Sequence, residues 1–243
     1  ASLAAEVIHR SNEYEKMMVE SVKFAFWKEA DSIMSTQMPV EKRLATVAKR
    51  LSELVDGLTA FIYIYDEETG RLYLKASSIR DSKSIGLVSI RPGEGIEGAA
   101  IAAQKDVFLA DRAEDGGIKR LYVSLPMVSH GSLVGTLNCQ IITQQGLSLY
   151  NEAFLKDIRT LIADSVYRHK ISEKERLKSR KMFAVDEAGL EMISITDLKK
   201  LSNIIVTTPA AIIGAEGALL RLARNGSQKY TSAAAYGLDD LKI

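Results

Sequence analysis

The chain has a single cysteine, Cys139, in 243 residues, and only three histidines. One thiol cannot close an intramolecular disulfide, which fits a reducing compartment. No two histidines, and no histidine with an acid, carry ligand spacing, so a metal site is not expected. No nucleophile stands beside a base in any recognisable pattern, so a non-catalytic region is expected. Charge of either sign is also missing in excess: 32 basic residues against 31 acidic give +1. Nucleic acid and acidic membranes are therefore not implied as partners. No apolar run reaches the roughly 18 residues that span a bilayer, so membrane insertion is not expected. The opening, ASLAAEVIHRSNEYEK, turns polar too soon for a signal peptide. It has no initiator Met, which reads as an internal fragment or a processed chain. These absences together fit a cytoplasmic protein.

What is present is an ordinary globular composition, 47% hydrophobic and 26% charged. The length suits one large or two small domains. Leu3, Val7, Tyr14, Met18, Val22 and Ala25 recur at helical spacing, and Phe24, Phe26 and Trp27 widen that stripe. Pro39 suits the first turn of a second helix lined by Leu44, Val47, Leu51, Leu54 and Val55, which Gly57 ends. The period then changes. LTAFIYIYD (58–66), the turn EETG and RLYLKASS (71–78) read as a β-hairpin, and RLYVSLPMV (120–128), SHGS and LVGTLNCQIIT (133–143) as another. Ser148 is placed to cap a closing helix with Phe154, Ile158, Leu161, Ile162, Ser165 and Val166 on one face. That helix continues into the charged run 168–181, which reads as a solvated linker helix supported by i,i+4 pairs.

An internal repeat follows. GLTAFIYIYDEETGRLYLKASSI (57–79) aligns with GAEGALLRLARNGSQKYTSAAAYGL (214–238) about 157 residues later, with a turn that reads one residue shorter. ITDLKKLSNIIVT (195–207) stands where the helix of 40–55 stands in the first copy. The expected domains are an N-terminal connector helix, 1–37; a complete unit, 38–168; a linker helix, 169–188; and the opening of a second unit, 189–243. Because the second copy has no counterpart of the later hairpin, the natural chain is expected to continue.

The stretch SIRPGEGIEGAAIAAQKDVFLAD (89–111) holds Gly93, Gly95 and Gly98 at dinucleotide-loop spacing. That fingerprint needs a strand before it and a full helix after it. Here Leu87–Ile90 is short and Pro92 follows at once. The helix, 98–104, is too brief for a crossover, and Glu94 and Glu97 would repel a pyrophosphate. The motif instead reads as a glycine-bent turn leading into a short helix, with Ile96 and Ala100 facing inward.

In order, the helix, the hairpin, GEGIEGAAIAAQKDVFLAD, SLPMVSHGSLVGTLNCQ and the closing helix resemble the GAF family of small-molecule sensor domains. The residues that carry the likeness are Gly93, Gly95, Gly98, Asp111, Pro126, Gly135 and Leu137. It covers about 38–170, and its first third recurs at 190–243. The resemblance implies an α+β fold: a central antiparallel sheet, long helices on one face, and short helices and loops forming a ligand pocket on the other. It further implies a cytoplasmic homodimer of long helices that relays ligand state to an output domain, such as a histidine kinase, transcriptional activator or cyclase. A ligand-free dimerisation scaffold is the alternative. The stripes 3, 7, 14, 18, 22 and 154, 158, 161, 162, 165 suit a parallel dimer seam and serve equally to cover the sheet.

The candidate pocket residues are Tyr63, Tyr65, Ser77, Ile96, Asp111, Tyr122, Ser124 and Asn138. Buried polar side chains need partners, and a ligand is one; Asp111 is the first to mutate. The ligand, and any cofactor, is not named by the sequence. Several family branches are disfavoured. Methionine sulfoxide reductases need more than one cysteine. A covalent bilin needs a Cys–His pair, which is missing. IITQQGLSLYNEAF lacks the Asn-Lys pair of the cyclic-nucleotide binders. Cys139 reads as a small core residue, His130 as a solvated turn residue, and His9 and His169 as surface residues.

Overall fold

A computed structural model describes residues 2–79, 84–112, 118–142, 152–223 and 230–238. It forms two compact units, Ala1–Lys170 and Ile171–Ile243. The first opens with helix α1 (Ser2–Met34) and helix α2 (Val40–Leu54). Leu44, Val47, Ala48 and Leu51 recur at helical spacing on α2, and all are buried. Pro39 stands one place before the helix, at its N-cap, where its carbonyl accepts from the Arg43 N–H at 3.1 Å.

The chain then builds strands β1 (Leu58–Asp66), β2 (Arg71–Ser77) and β3 (Ser89–Ile90), helix α3 (Gly95–Ala103), and strands β4 (Val107–Arg112), β5 (Ile118–Ser129) and β6 (Ser132–Ile141). A long helix, α4 (Glu152–Ile193), follows. It continues well past the charged run at 168–181. The expected Ser148 cap lies outside the described residues. The strands form one antiparallel sheet in the order β3-β2-β1-β6-β5-β4. The α+β architecture read from the sequence is therefore the one observed.

The main core lies on one face of this sheet. Alternate residues of β1 (Leu58, Ala60, Ile62), β5 (Leu121, Val123, Leu125, Met127) and β6 (Leu137, Cys139, Ile141) meet α1, α2 and α4 there. Phe154, Leu155, Ile158, Leu161, Ile162 and Val166 of α4 are all within this core. The 154–166 stripe thus covers the sheet, and that resolves one half of the seam-or-sheet alternative. Each fully buried Leu or Ile contributes about 1.5–3 kcal/mol by leaving water. A polar staple fixes the helix junction: Arg43 Nη1 donates to the Met34 carbonyl and to Ser165 Oγ, and Ser165 Oγ donates to the same carbonyl at 3.0 Å.

Two irregularities shape the opposite face. Between the pairs Ile62–Ala76 and Tyr63–Leu74, β2 carries one extra residue, Lys75. A one-residue insertion swaps the two faces of a strand. So Ala76 joins the helical core, whereas Leu74 and Leu72 join Tyr63 and Ile101 in a second, smaller cluster. At Gly135 any Cβ would collide with the Tyr63 carbonyl oxygen, so β6 and β1 approach closely only because that position is glycine.

The second unit contains helix α5 (Leu198–Ile213) and the antiparallel hairpin β7 (Ala218–Ala223) with β8 (Tyr230–Tyr236). Asp197 caps α5, its carboxylate accepting from the Lys199 N–H at 2.8 Å, and Gly214 ends the helix at φ 73°. The register of β7 and β8 also slips once, between Leu220–Ala234 and Arg221–Ser232. Ile62 and Ala76, the last pair before the slip in the first hairpin, are as far apart in sequence as Leu220 and Ala234. The later turn is therefore not shorter, as the sequence alignment had it; the register keeps the two connections equal.

Candidate functional site

The site is built on the sheet face turned away from α1, α2 and α4. Cross-strand pairing sets its rows. Val107, Ser124, Asn138, Phe61 and Ser77 lie side by side across β4, β5, β6, β1 and β2. Pro126, Thr136, Tyr63 and Leu74 form the row on one side, and Leu109, Tyr122, Gln140 and Thr59 the row on the other. The helix α3 packs over β5 and β6 and closes this face.

The loop before α3 explains the three glycines. Glu94 Oε2 accepts from the Arg91 N–H at 3.0 Å, and the Gly93 N–H donates to the Gly98 carbonyl at 2.8 Å. Gly93 and Gly95 hold φ values of 85° and 65°, which L side chains rarely adopt. Gly98 is needed for space, because a Cβ there would strike the Arg91 carbonyl oxygen. The glycines therefore fold a capped turn and seat a nine-residue helix. Glu94 belongs to that turn, as the rejection of a phosphate loop implied.

Under α3, Ser124 is fully buried and Asn138 is 5% exposed. They are direct neighbours on β5 and β6. Asn138 Nδ2 donates to Thr136 Oγ1 at 2.9 Å, but Asn138 Oδ1 and Ser124 Oγ have no hydrogen-bond partner. A buried polar group left unpaired costs about 1–3 kcal/mol. Here two such groups stand side by side on neighbouring strands.

The other expected residues fall around this pair. Tyr63 is 7% exposed, and burial pushes its phenol up to about 12, with the Glu97 charge adding to the shift. Tyr65 packs at the edge of the second cluster. Ile96 is half-buried in α3. Ser77 stands in the same row as Asn138, but its hydroxyl accepts from the Ile79 N–H at 3.1 Å and so serves the strand end. Tyr122 is half-buried, and its hydroxyl accepts from Arg120 Nη1 at 2.7 Å. Asp111 is exposed on β4, paired in register with Arg120, whose pKa is raised by the Tyr122 hydrogen bond and more weakly by Asp111.

Sequence reasoning missed Thr136, Glu97 and Arg120. Thr136 and Arg120 were legible in principle, since each lies an even number of residues from Asn138 or Ser124 on the same strand. Glu97 had no such signal, because its charge acts on Tyr63 only through the tertiary placement of α3. Cys139 lies on the helical face, 3% exposed, with burial alone pushing its thiol up to about 12. It is away from the site. His130, at φ 50°, is an exposed turn residue, as expected, and it also stacks on Tyr167 of α4 with ring centroids 4.9 Å apart. An apolar hollow of about 160 Å³ lies between α1, α2 and α4, lined by Met18, Val22, Leu54 and Phe154, among others. It has no convergent polar groups and is on the wrong face. Among the described residues, no group of His, Cys, Asp and Glu is arranged to hold a metal, and no helix is long and apolar enough to cross a membrane.

The sequence profile of the GAF domain family matches residues 39–166. The fold is similar to the GAF domain of an Acinetobacter phosphoenolpyruvate-protein phosphotransferase, at 19% identity and TM-score 0.51, over 62% of this chain and 97% of that one. It is similar to the corresponding domain from Coxiella burnetii at 20% identity and TM-score 0.51, over 63% and 96%. The GAF domain of A. aeolicus nlh2, in an inactive state, aligns at 17% identity and TM-score 0.52, over 62% and 99%. At these identities the likeness concerns the fold. No curated protein matches the chain's sequence.

Proposed function

Because the chain belongs to the GAF domain family, whose members are small-molecule-sensing regulatory domains, we propose that residues 38–168 are a non-catalytic sensor in a cytoplasmic signalling protein. The observation that carries this reading is the unpaired Ser124–Asn138 couple beneath α3. A ligand would supply the missing hydrogen bonds, and α3, which packs on β5 and β6, is the element that would move to admit it. Occupancy would then act by population shift, through the difference in affinity between the α3-closed and α3-open states.

The readout would pass through the helices. Three α4 residues, spaced three apart, grip the sheet: Asp164 accepts from Ser129 Oγ at 2.7 Å, Tyr167 stacks on His130, and Lys170 donates to the Tyr65 carbonyl at 2.7 Å. Tyr65 follows the site residue Tyr63 by two positions on the same strand. On α1, Tyr14, Met18 and Val22 are 46–62% exposed, which supports a homodimer through this helix. The relay of ligand state to an output domain, in a two-component or transcription-regulating protein, belongs to the same reading. The second unit, with its helix and bulged hairpin in the same order and register as α2, β1 and β2, supports the opening of a second GAF-like domain at 189–243.

The second reading, a ligand-free dimerisation scaffold, is favoured by the same exposed α1 stripe. Native mass spectrometry of the purified chain separates the two. A retained small molecule, lost in Ser124→Leu, supports the sensor; a dimer that stays empty with every metabolite extract tested supports the scaffold.

A further inference from the structure

Helix α3 covers one face of the sheet and α4 the other, yet one carboxylate joins them. Asp106 lies between the end of α3 and the start of β4. Its Oδ1 accepts from Arg159 Nη1 at 2.9 Å, and its Oδ2 meets Lys156 Nζ at 3.1 Å. Lys156 and Arg159 stand at i and i+3, so both lie on one side of α4. Lys156 Nζ is held in turn by Glu152 Oε1 at 2.5 Å. The Asp106 side chain is 20% exposed and that of Arg159 25%, so salt and water screen this pair less than a fully exposed one. A cation on each oxygen fixes the direction of the carboxylate as well as its place. Leu155 and Ile158, buried in the core, hold the same stretch of α4 against the sheet.

The link from Asp106 back to α3 is short and bonded throughout. Gln104 ends the helix in the left-handed conformation, at φ 50°. Its N–H donates to the Ile101 carbonyl at 3.2 Å, and the Lys105 N–H to the Ala100 carbonyl at 3.1 Å. Bonds of this kind close a helix end. On its other side Asp106 leads into Val107, which pairs with Ser124. Movement of α3 off the sheet therefore pulls Asp106 away from Lys156 and Arg159, or drags the start of α4 with it. We propose that Asp106 is a latch coupling the position of α3 to the first turns of α4. It is a positioning residue, acting through α3. Closed α3 keeps both ion pairs, and open α3 gives them up. In the sensor reading, on which the use of the latch rests, it carries ligand state into the start of α4. That route is separate from the grip at Asp164, Tyr167 and Lys170. The coupling is reciprocal: pulling Lys156 and Arg159 away loosens α3.

The test is hydrogen exchange, followed by mass spectrometry, on the whole chain without ligand. Arg159→Gln and Lys156→Gln, both on α4, should each speed exchange across 95–103 by about threefold, the order expected for one partly exposed ion pair. Exchange in α2 should stay as in the parent. The decisive readout is conditional. Ile101→Val, and more strongly Ile101→Ala, loosens α3 by removing buried methyl groups. Either should speed exchange across 152–160 in the parent, and much less when Asp106→Asn is also present. An Asp106 that only stabilises its own loop would give effects that add. The milder Ile101→Val keeps the test open if Ile101→Ala does not fold. The inference is overturned if both α4 variants leave 95–103 unchanged, or if loosening α3 reaches 152–160 equally with and without Asp106. No ligand enters this readout, so its failure is distinct from failure of the sensor reading, which native mass spectrometry decides.

Discussion

Lys170 of α4 donates from Nζ to the carbonyl oxygen of Tyr65, 2.7 Å away, near the end of β1. This bond ties the helix that leaves the domain to the strand that carries Tyr63. Burial pushes the Lys170 ammonium below the ordinary lysine value, against an opposing pull from Glu67 and Asp66. A lysine whose pKa is lowered by folding binds fewer protons in the folded state. Its desolvation cost is therefore present at neutral pH and is relieved as pH rises past the folded pKa toward 10.5.

Lys170→Met should cost about 1 kcal/mol at pH 7 in urea denaturation, the net worth of one such hydrogen bond after desolvation. The parent's margin over this variant should widen between neutral pH and about pH 10, because only the parent has the charge to lose. A margin that shrinks over this range would show that the ammonium is better placed in the folded state than in water.

Ser124→Ala removes a hydroxyl that is buried and unpaired. The empty protein should become more stable by about 1 kcal/mol, since an unsatisfied polar group is replaced by a methyl. Ligand retention should fall in the same variant. Gain of stability with loss of binding is the signature of a site held ready at the expense of the fold. Calorimetry of the two proteins, each with and without ligand, measures both effects.

Cys139 is the single thiol, and its pKa of about 12 comes from burial. At pH 8 it should not react with a thiol reagent in the folded protein, and it should react at once in denaturant. The folded pKa lies above the unfolded value of 9.0, so folding retains this proton. Its contribution to stability is complete below pH 9 and is lost as pH rises through about 12. Native labelling as fast as that of the unfolded chain would place the thiol outside the core.

Gly135→Ala and Gly98→Ala should both be severe, at about 3 kcal/mol or more, because each added methyl meets a backbone carbonyl that cannot rotate away. They should differ in kind. Gly135→Ala separates β6 from β1 and lowers the stability of the whole domain. Gly98→Ala displaces the start of α3 and should raise hydrogen exchange there first, before the sheet is affected.

Much of the architecture was legible from period alone. Ile158 and Ile162 at helical spacing, and Leu121, Val123 and Leu125 at alternate positions, state their elements and their buried faces directly. The glycine stretch was legible too, since Pro92 and the short apolar segment before it exclude a crossover unit. The faces of β2 were not. Lys75 looks like any strand residue, yet the slip it introduces sends Leu74 to the site and Ala76 to the core. Nothing local marks a bulge, because the extra residue is defined by its partner strand.

The site divides in the same way. The sequence by itself determined that Ser124 and Asn138 stand within strands, that one cysteine excludes a disulfide, and that the order of segments is that of a GAF domain. Only the tertiary structure decided that Ser124 and Asn138 are neighbours, that α3 covers them, and that Thr136 meets just one of their hydrogen-bonding needs. Pairing register and helix packing are long-range relations, fixed by which surfaces fit together. Side-chain type constrains them but cannot state them one segment at a time.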